Sequence, residues 1–548
     1  MTSSAAPNTP VHHADAAYPH RWWAMAAIAV GTSLVIMDAT IANVALPVVI
    51  RDIGLSATEA QWMNAVYSLV FAAFMLTSGR ISDLYGRKLM FLLGLFVFGA
   101  SSLVVGSAGG PVVLIVARLV QGIGAAMILP ATLSTINAMF HGKDRGIAFA
   151  IYGSTIGGMA AVGPLVGGWL ATDVSWRWAF WLNLPFVLLA AIVAARVVPE
   201  TRDPSVRRGI DVLGTALASI GLATIVFGLI ESSTFGWLRQ DDGAISPVPF
   251  AIVGGIALMV VFVFVQLGRE RRNRVVLAHL DLFRVATFRY GVIAALIVSL
   301  GEFGMLFTMP LVLQGAMGYD ALGTGWLMMA LAVGTFLVSG ATPRLTERWG
   351  QRAVVRLGLG LETVAVAGLA LALPGNGWRL AGLLFCYGLG VGMATAQLTS
   401  VILSRVPLRW SGEASGMQTT FRQLGSALGV ALLGGLLISS LSGTTEQHLT
   451  DAGVPAEQRS AIVTTVHESA GAAIPGLRTD PRTAPAAEVA GQAMIEAAKE
   501  TTAIAAGVLL LGLLATIALP ADVLPPAGPG GHRDDKEFAA AEPVRRAD

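Results

Sequence analysis

Charged or Gly/Pro-bearing breaks divide this chain into fourteen runs of about 20 mainly apolar residues, the length that carries an α-helix across a bilayer. The first covers roughly residues 22 to 47, the fifth 146 to 170 and the last 502 to 520. Such runs commit the chain to helices, because a helix satisfies its backbone hydrogen bonds internally, whereas an open strand in lipid does not. The expected fold is an all-α membrane protein with 14 transmembrane helices. At 548 residues with only 13% charged, the chain carries about half the charge of a soluble domain and has no stretch left for a large soluble one. The first run is too long for a signal-peptide core and reads as a retained span.

Loop charge sets the direction. Of the 36 basic residues, 26 fall on the two tails and on alternate loops, whereas the opposite short loops hold only Arg51, Arg177, Arg239 and Arg379. Positive residues are retained on the cytoplasmic side, so both termini are expected there, in a multi-pass protein of the cytoplasmic (inner) membrane. Residues 441–501 are polar and rich in Ala, Thr and Glu, and read as a long, solvated external loop. Residues 521–548 read as a disordered cytoplasmic tail.

Composition also removes several functions. A net charge of +2 gives no footprint for nucleic acid, and the single Cys386, without a CxxC or His cluster, gives none for a disulfide or a metal. No clustered catalytic groups mark an enzyme. No GxxxxGK[ST] motif binds ATP, so no cofactor is expected and work must draw on an ion gradient.

The chain is internally duplicated. GRISDLYGRK at 79–88 matches PRLTERWGQR at 343–352, pairing Asp83 with Glu347 and Gly86 with Gly350 at an offset of 264. VQGIGAAM at 120–127 matches CYGLGVGM at 386–393, pairing Gly122 with Gly388 and Gly124 with Gly390 at 266; Gly146 and Gly163 meet Gly412 and Gly429 at the same offset. The offset spans eight helices, which gives six, two inserted, then six, with like-oriented halves of the kind transporters use. The division expected is a tail over 1–21, a first half over 22–198, the inserted helices and linkers over 199–284, a second half over 285–520, and the C-terminal tail.

With these motifs in place, the chain resembles the major facilitator superfamily, and within it the fourteen-span drug:proton antiporters of the EmrB/QacA type. GRISDLYGRK is similar to the family's motif between spans 2 and 3, RLVQGIGAA from Arg118 to its span-4 motif, GSTIGGMAAVGPLVGG from Gly153 to its antiporter motif, and VIMDATIANVALP from Val35 to the span-1 motif of the fourteen-span branch. The resemblance implies a major facilitator fold and proton-coupled export of lipophilic or cationic small molecules across the lipid bilayer. A carrier dedicated to one metabolite, antibiotic or lipid, and a membrane sensor or assembly partner without transport, remain open alternatives.

Each motif has a physical reading. Asp83 and Arg87, four apart, are placed to pair on one helical face, Gly79 and Gly86 allow close approach and a tight turn, and the resemblance makes this segment, with Lys88, a cytoplasmic gate. Arg80, Arg87 and Lys88 could equally serve topology alone. Gly153 with Gly157, and Gly163 with Gly167 and Gly168, let helices pack closely around the interruption at Pro164. That face suits a moving seam or a static one, and the antiporter role comes from the resemblance.

Ionisable residues deep in spans are costly and so mark function. Five stand out: Asp38, Arg118, Glu302, Glu362 and Arg422. Asp38 and Glu302 sit one repeat apart, at equivalent depth in the first helix of each half. A buried carboxyl takes up a proton more readily than an exposed one, which suits a proton carrier, though a neutral structural acid is the alternative. Arg118 resembles the family's span-4 arginine, whose fixed charge eases proton release from a nearby acid. Its repeat partner is Leu384, so Glu302 is expected to lack such a cation and to serve substrate recognition more than coupling. Arg422 could serve the second half or an anionic substrate. Glu362, six residues beyond Arg356, could simply snorkel to the surface.

Overall fold

The computed structural model describes residues 19–140, 142–202, 209–240, 244–272, 274–407 and 410–518; among these, regular structure is helical apart from one bridge between Arg239 and Ile245. The expected C-terminal tail and residues 1–18 lie outside the described residues. Fourteen long helices follow in order: α1 (Arg21–Ile53), α2 (Ala57–Tyr85), α3 (Arg87–Gly106), α4 (Pro111–Met139), α5 (Gly142–Trp169), α6 (Trp178–Val197), α7 (Val212–Ile230), α8 (Val248–Arg271), α9 (Ala286–Gly315), α10 (Ala321–Trp349), α11 (Gln351–Ala372), α12 (Gly377–Leu403), α13 (Ser411–Asp451) and α14 (Ala484–Ala515). Thirteen are long and apolar enough to span a membrane, and α5, 28 residues long with some of its side chains outside the described residues, fills the fifth place.

The short loops are made by capping residues. Gly54, at φ 73°, ends α1, and Ser56 starts α2 with a capping box in which it accepts from the Glu59 amide while Glu59 accepts from the Ser56 amide. Asp211, Asp320 and Asn376 cap α7, α10 and α12 through the amides of Gly214, Gly323 and Arg379.

The two six-helix groups repeat the same contacts. In the first, α1 packs on α5 and α6, and α4 on α2 and α3; in the second, α9 packs on α13 and α14, and α12 on α10 and α11. The glycines fix the register. A Cβ on Gly122 would meet the Tyr67 carbonyl, and one on Gly388 would meet that of Leu331, 264 residues after Tyr67. Likewise Gly124 abuts Phe98, and Gly390 abuts Glu362, again 264 apart. At these positions glycine lets two helix backbones touch, in both copies.

Across the two groups, α2 and α13 touch along their length, with Leu76 beside Gly416, Ser68 bonded to Ser426 and Gln61 beside Gly434. Helices α5 and α10 also pack on each other across the groups, closely at the end away from the termini. There Gly168 abuts Ala321, Gly325 abuts Pro164, and Thr172 accepts from the Leu322 amide at 2.9 Å. Toward the other end, Gly158 and Gly340 have nothing within 4 Å of where a Cβ would stand.

The inserted helices α7 and α8 pair through Gly221, Gly228 and Gly255, and α7 lies against both α2 and α13. Thr215 bonds Thr77 at 2.8 Å and Glu231 accepts from the Trp62 indole at 3.0 Å, fixing α7 to α2. Beyond α8, His279 donates its amide to Glu413 at the start of α13, its Nδ1 stands 2.7 Å from that carboxylate, and its ring lies against Trp410.

Residues 441–501 depart from the expected loop. They continue α13 to Asp451, form a helix over Ala456–Glu468 and begin α14 at Ala484, well before the expected start at 502. The reason is alanine. It favours helix, and a face of Ala487, Ala490, Gly491, Ala493, Ala497 and Ala498 buries tightly while registering as only weakly apolar in sequence. The segment covers the end of α9, where Gly315 abuts the Gly471 carbonyl and Arg478 donates to that of Ala316 at 3.1 Å.

Candidate functional site

In the first half, Asp38 on α1 and Arg118 on α4 are 0% and 1% exposed, and their Oδ2 and Nη1 lie 2.5 Å apart. Gln121, one turn beyond Arg118, donates to Asp38 Oδ1 at 2.8 Å and accepts from Arg118 at 2.8 Å, while Asn183 on α6 donates to the same Oδ1 at 3.0 Å. Ser102 on α3 accepts from both amides, Arg118 Nε donates to the Met63 carbonyl, and the guanidinium stands 4.4 Å from the Tyr67 ring centre. The repeat glycines make this convergence possible by drawing α4 against α2 and α3. The pair is balanced in charge, and removing one partner of such a pair costs about 3–5 kcal/mol because it strands the other. A proton arriving on Asp38 would cancel the charge that holds Arg118.

The second half is built differently. Glu302 on α9 accepts from Thr395 on α12 at 3.3 Å, and its Oε2 stands 3.8 Å from Nη2 of Arg422 on α13. These residues, with Ser299 and Gln418, line a void whose volume open to water centres is about 10 Å³, enough for roughly one water. Glu302 therefore has a cation after all, supplied from α13 at a position that the 266 offset aligns with Ile156, rather than from the Leu384 position on α12. Nor does Glu362 snorkel: it is 0% exposed on α11, packed against Gly390 of α12. Six residues along a helix turn the side chain well round the axis from Arg356, which instead donates to the Thr516 carbonyl at the end of α14.

At the expected gate, Asp83 and Arg87 do pair, with Nη2 and Oδ1 2.8 Å apart, but not along one helix: Gly86, at φ 134°, breaks α2 from α3 between them. The N-terminus of α3 is capped by Glu200, which accepts from the Lys88 and Leu89 amides at 3.1 and 3.2 Å and fills the space beside Gly86. Lys88 Nζ donates to the Ala195 carbonyl at 2.7 Å, and a Cβ on Gly79 would stand 3.4 Å from that of Pro130 on α4. Because Glu200 holds the turn independently, Asp83→Asn is expected to leave the fold intact. It should slow transport only about two- to fivefold, the effect of losing a partly exposed pair worth about 0.5–1 kcal/mol. Initial rates of substrate flux in proteoliposomes check this.

In α5, Gly163 and Gly167 face Thr40 and Ile41 of α1, whereas Gly168 and the Pro164 carbonyl face α10, so one motif serves both a contact within the half and the seam between halves. The surroundings of Gly153 and Gly157 lie outside the described residues. Sequence reasoning missed Gln121, Asn183, Ser102 and Tyr67, the neutral groups that complete the Asp38 site. The repeat offset would have pointed to Tyr387 as the counterpart of Gln121.

The profile of the Major Facilitator Superfamily matches residues 28–430. The chain is 33% identical over 455 residues to the puromycin resistance protein pur8 of Streptomyces alboniger, covering 79% of this chain and 84% of that one. It is 30% identical to the multidrug resistance protein Stp of Mycobacterium tuberculosis, over 81% of each chain, and 28% identical to the multidrug efflux pump LfrA of Mycolicibacterium smegmatis, over 90% and 95%. In fold it is similar to a bacterial homologue of the human lysosomal transporter Spinster in an inward-facing, unoccupied conformation, with a TM-score of 0.62 at 16% identity, covering 93% of this chain and 99% of that one. With a matching profile over most of its length and two duplicated six-helix groups, the chain belongs to the Major Facilitator Superfamily and is a multi-pass membrane transporter.

Proposed function

We propose that the protein is a proton-coupled exporter of amphipathic drugs or toxic small molecules across the cytoplasmic membrane, with both termini inside. The observation that carries this reading is the Asp38–Arg118 pair, a complete ionic network held away from water in the first helix of a transport fold. Relatives named for puromycin resistance, multidrug resistance and multidrug efflux support export of drugs. The seam at Gly168 and Ala321 is closed at the end away from the termini, which is the outer end with the termini inside. Protonation of Asp38 from outside would loosen Arg118, and its ionisation would restore the pair. One proton moving through about 100 mV supplies ~2.3 kcal/mol, roughly a fifty-fold gradient of a neutral substrate.

The test is flux. Proteoliposomes carrying an imposed proton gradient should drive ethidium, a neutral dye and puromycin outward, with protons moving the other way. Transport of puromycin alone would favour a dedicated carrier, and no driven flux of any of the three would turn the reading toward a sensor.

A further inference from the structure

Glu362 is a buried carboxyl that the Asp38 mechanism does not use. Both of its oxygens are buried and have no hydrogen-bond partner among the described residues. The first half supplies the comparison. At the repeat-equivalent position stands Phe98, fully buried and packed on Gly124 just as Glu362 is packed on Gly390. An apolar side chain thus fills this niche in one copy, so packing does not call for the acid in the other.

The surroundings of Glu362 say what the acid does. The titratable and charged groups acting on it are Glu302 and Arg422, and Tyr387 on α12 feels both carboxyls. Helix α12 separates them, with Gly390 against Glu362 on one side and Thr395 bonded to Glu302 on the other. Two carboxyls share one guanidinium, so the cluster is neutral when it holds one proton, whereas Asp38 and Arg118 are neutral with none. An ionised carboxyl without a donor in this environment is unfavourable, and a group so placed holds a proton instead.

We infer that Glu362 is a second proton-binding site, holding the exchangeable proton of the C-terminal half. Release breaks the O–H bond on Glu362 and gives the proton to water, with Glu362 left ionised until a proton returns. The inference deepens the proposed proton coupling and rests on it for its role in transport, though not for the presence of the proton.

The experiment uses the full chain in liposomes, read by infrared spectroscopy across a pH titration. The wild type is expected to show the carbonyl band of a protonated, buried carboxyl at neutral pH. The band should vanish in Glu362→Gln and in the apolar Glu362→Met, and persist in Asp38→Asn. A band that survives both Glu362 variants, or is missing from the wild type, overturns the assignment. Ethidium flux separates this from the proposed function: both Glu362 variants should lose gradient-driven efflux while keeping downhill exchange. Unchanged driven efflux in those variants would remove Glu362 from coupling, whereas no driven efflux in the wild type, with the band present, would count against coupling itself and leave the proton site standing.

Discussion

Asp38→Asn is expected to abolish gradient-driven efflux while leaving downhill exchange of the same substrate. Asparagine copies the protonated acid in shape, so the amides of Gln121 and Asn183 keep an oxygen to bond. What goes is the charge opposite Arg118, 2.5 Å away in the wild type, and with it the site's ability to differ between its protonated and ionised forms. A stranded guanidinium also costs stability, of the order of 3–5 kcal/mol for a buried pair broken on one side. The double variant Asp38→Asn with Arg118→Gln separates the two effects. It should recover thermal stability, because neither charge is then left alone, and should still fail to couple. Driven efflux in either variant would mean that Asp38 carries no proton that matters.

Gly168→Val is expected to reduce transport more than tenfold by holding the seam apart. A Cβ there would strike the Ala321 carbonyl and come within 3.1 Å of the Leu322 Cα, and backbone cannot swing aside as a side chain can. The obstruction lies between the two halves rather than inside one, so parting them relieves it without unfolding either. A disulfide between cysteines introduced at Thr172 and Leu322, which adjoin across the seam, should form readily in the parent and poorly in the variant. Gly158→Ala is the control, since nothing stands within 4 Å of its Cβ position.

The sequence made the skeleton readable because lipid leaves few options: long apolar runs become helices. The duplication was readable too, since Gly122 and Gly388, or Gly124 and Gly390, are required wherever helix backbones touch, and both copies need them. What stayed hidden was which polar groups meet. Asp38 and Arg118 are 80 residues apart, and nothing in an apolar run announces that Asn183, from a third helix, will join them. Leu384 at the position of Arg118 suggested a half without a cation, because offset logic follows one helix at a time, whereas Arg422 reaches Glu302 from another. Residues 441–501 were misread because alanine contributes little to hydropathy yet packs well.

The inserted pair fastens the halves along one edge. Helix α7 is hydrogen-bonded to α2 through Thr215 and Glu231, and the chain leaving α8 is held to the start of α13 through His279 and Glu413. On the opposite edge, α5 and α10 touch directly, through Gly168, Gly325 and Thr172. Two bodies joined along a spine do not part evenly; they swing like the covers of a book, so the stroke is widest between α5 and α10 and smallest beside α7.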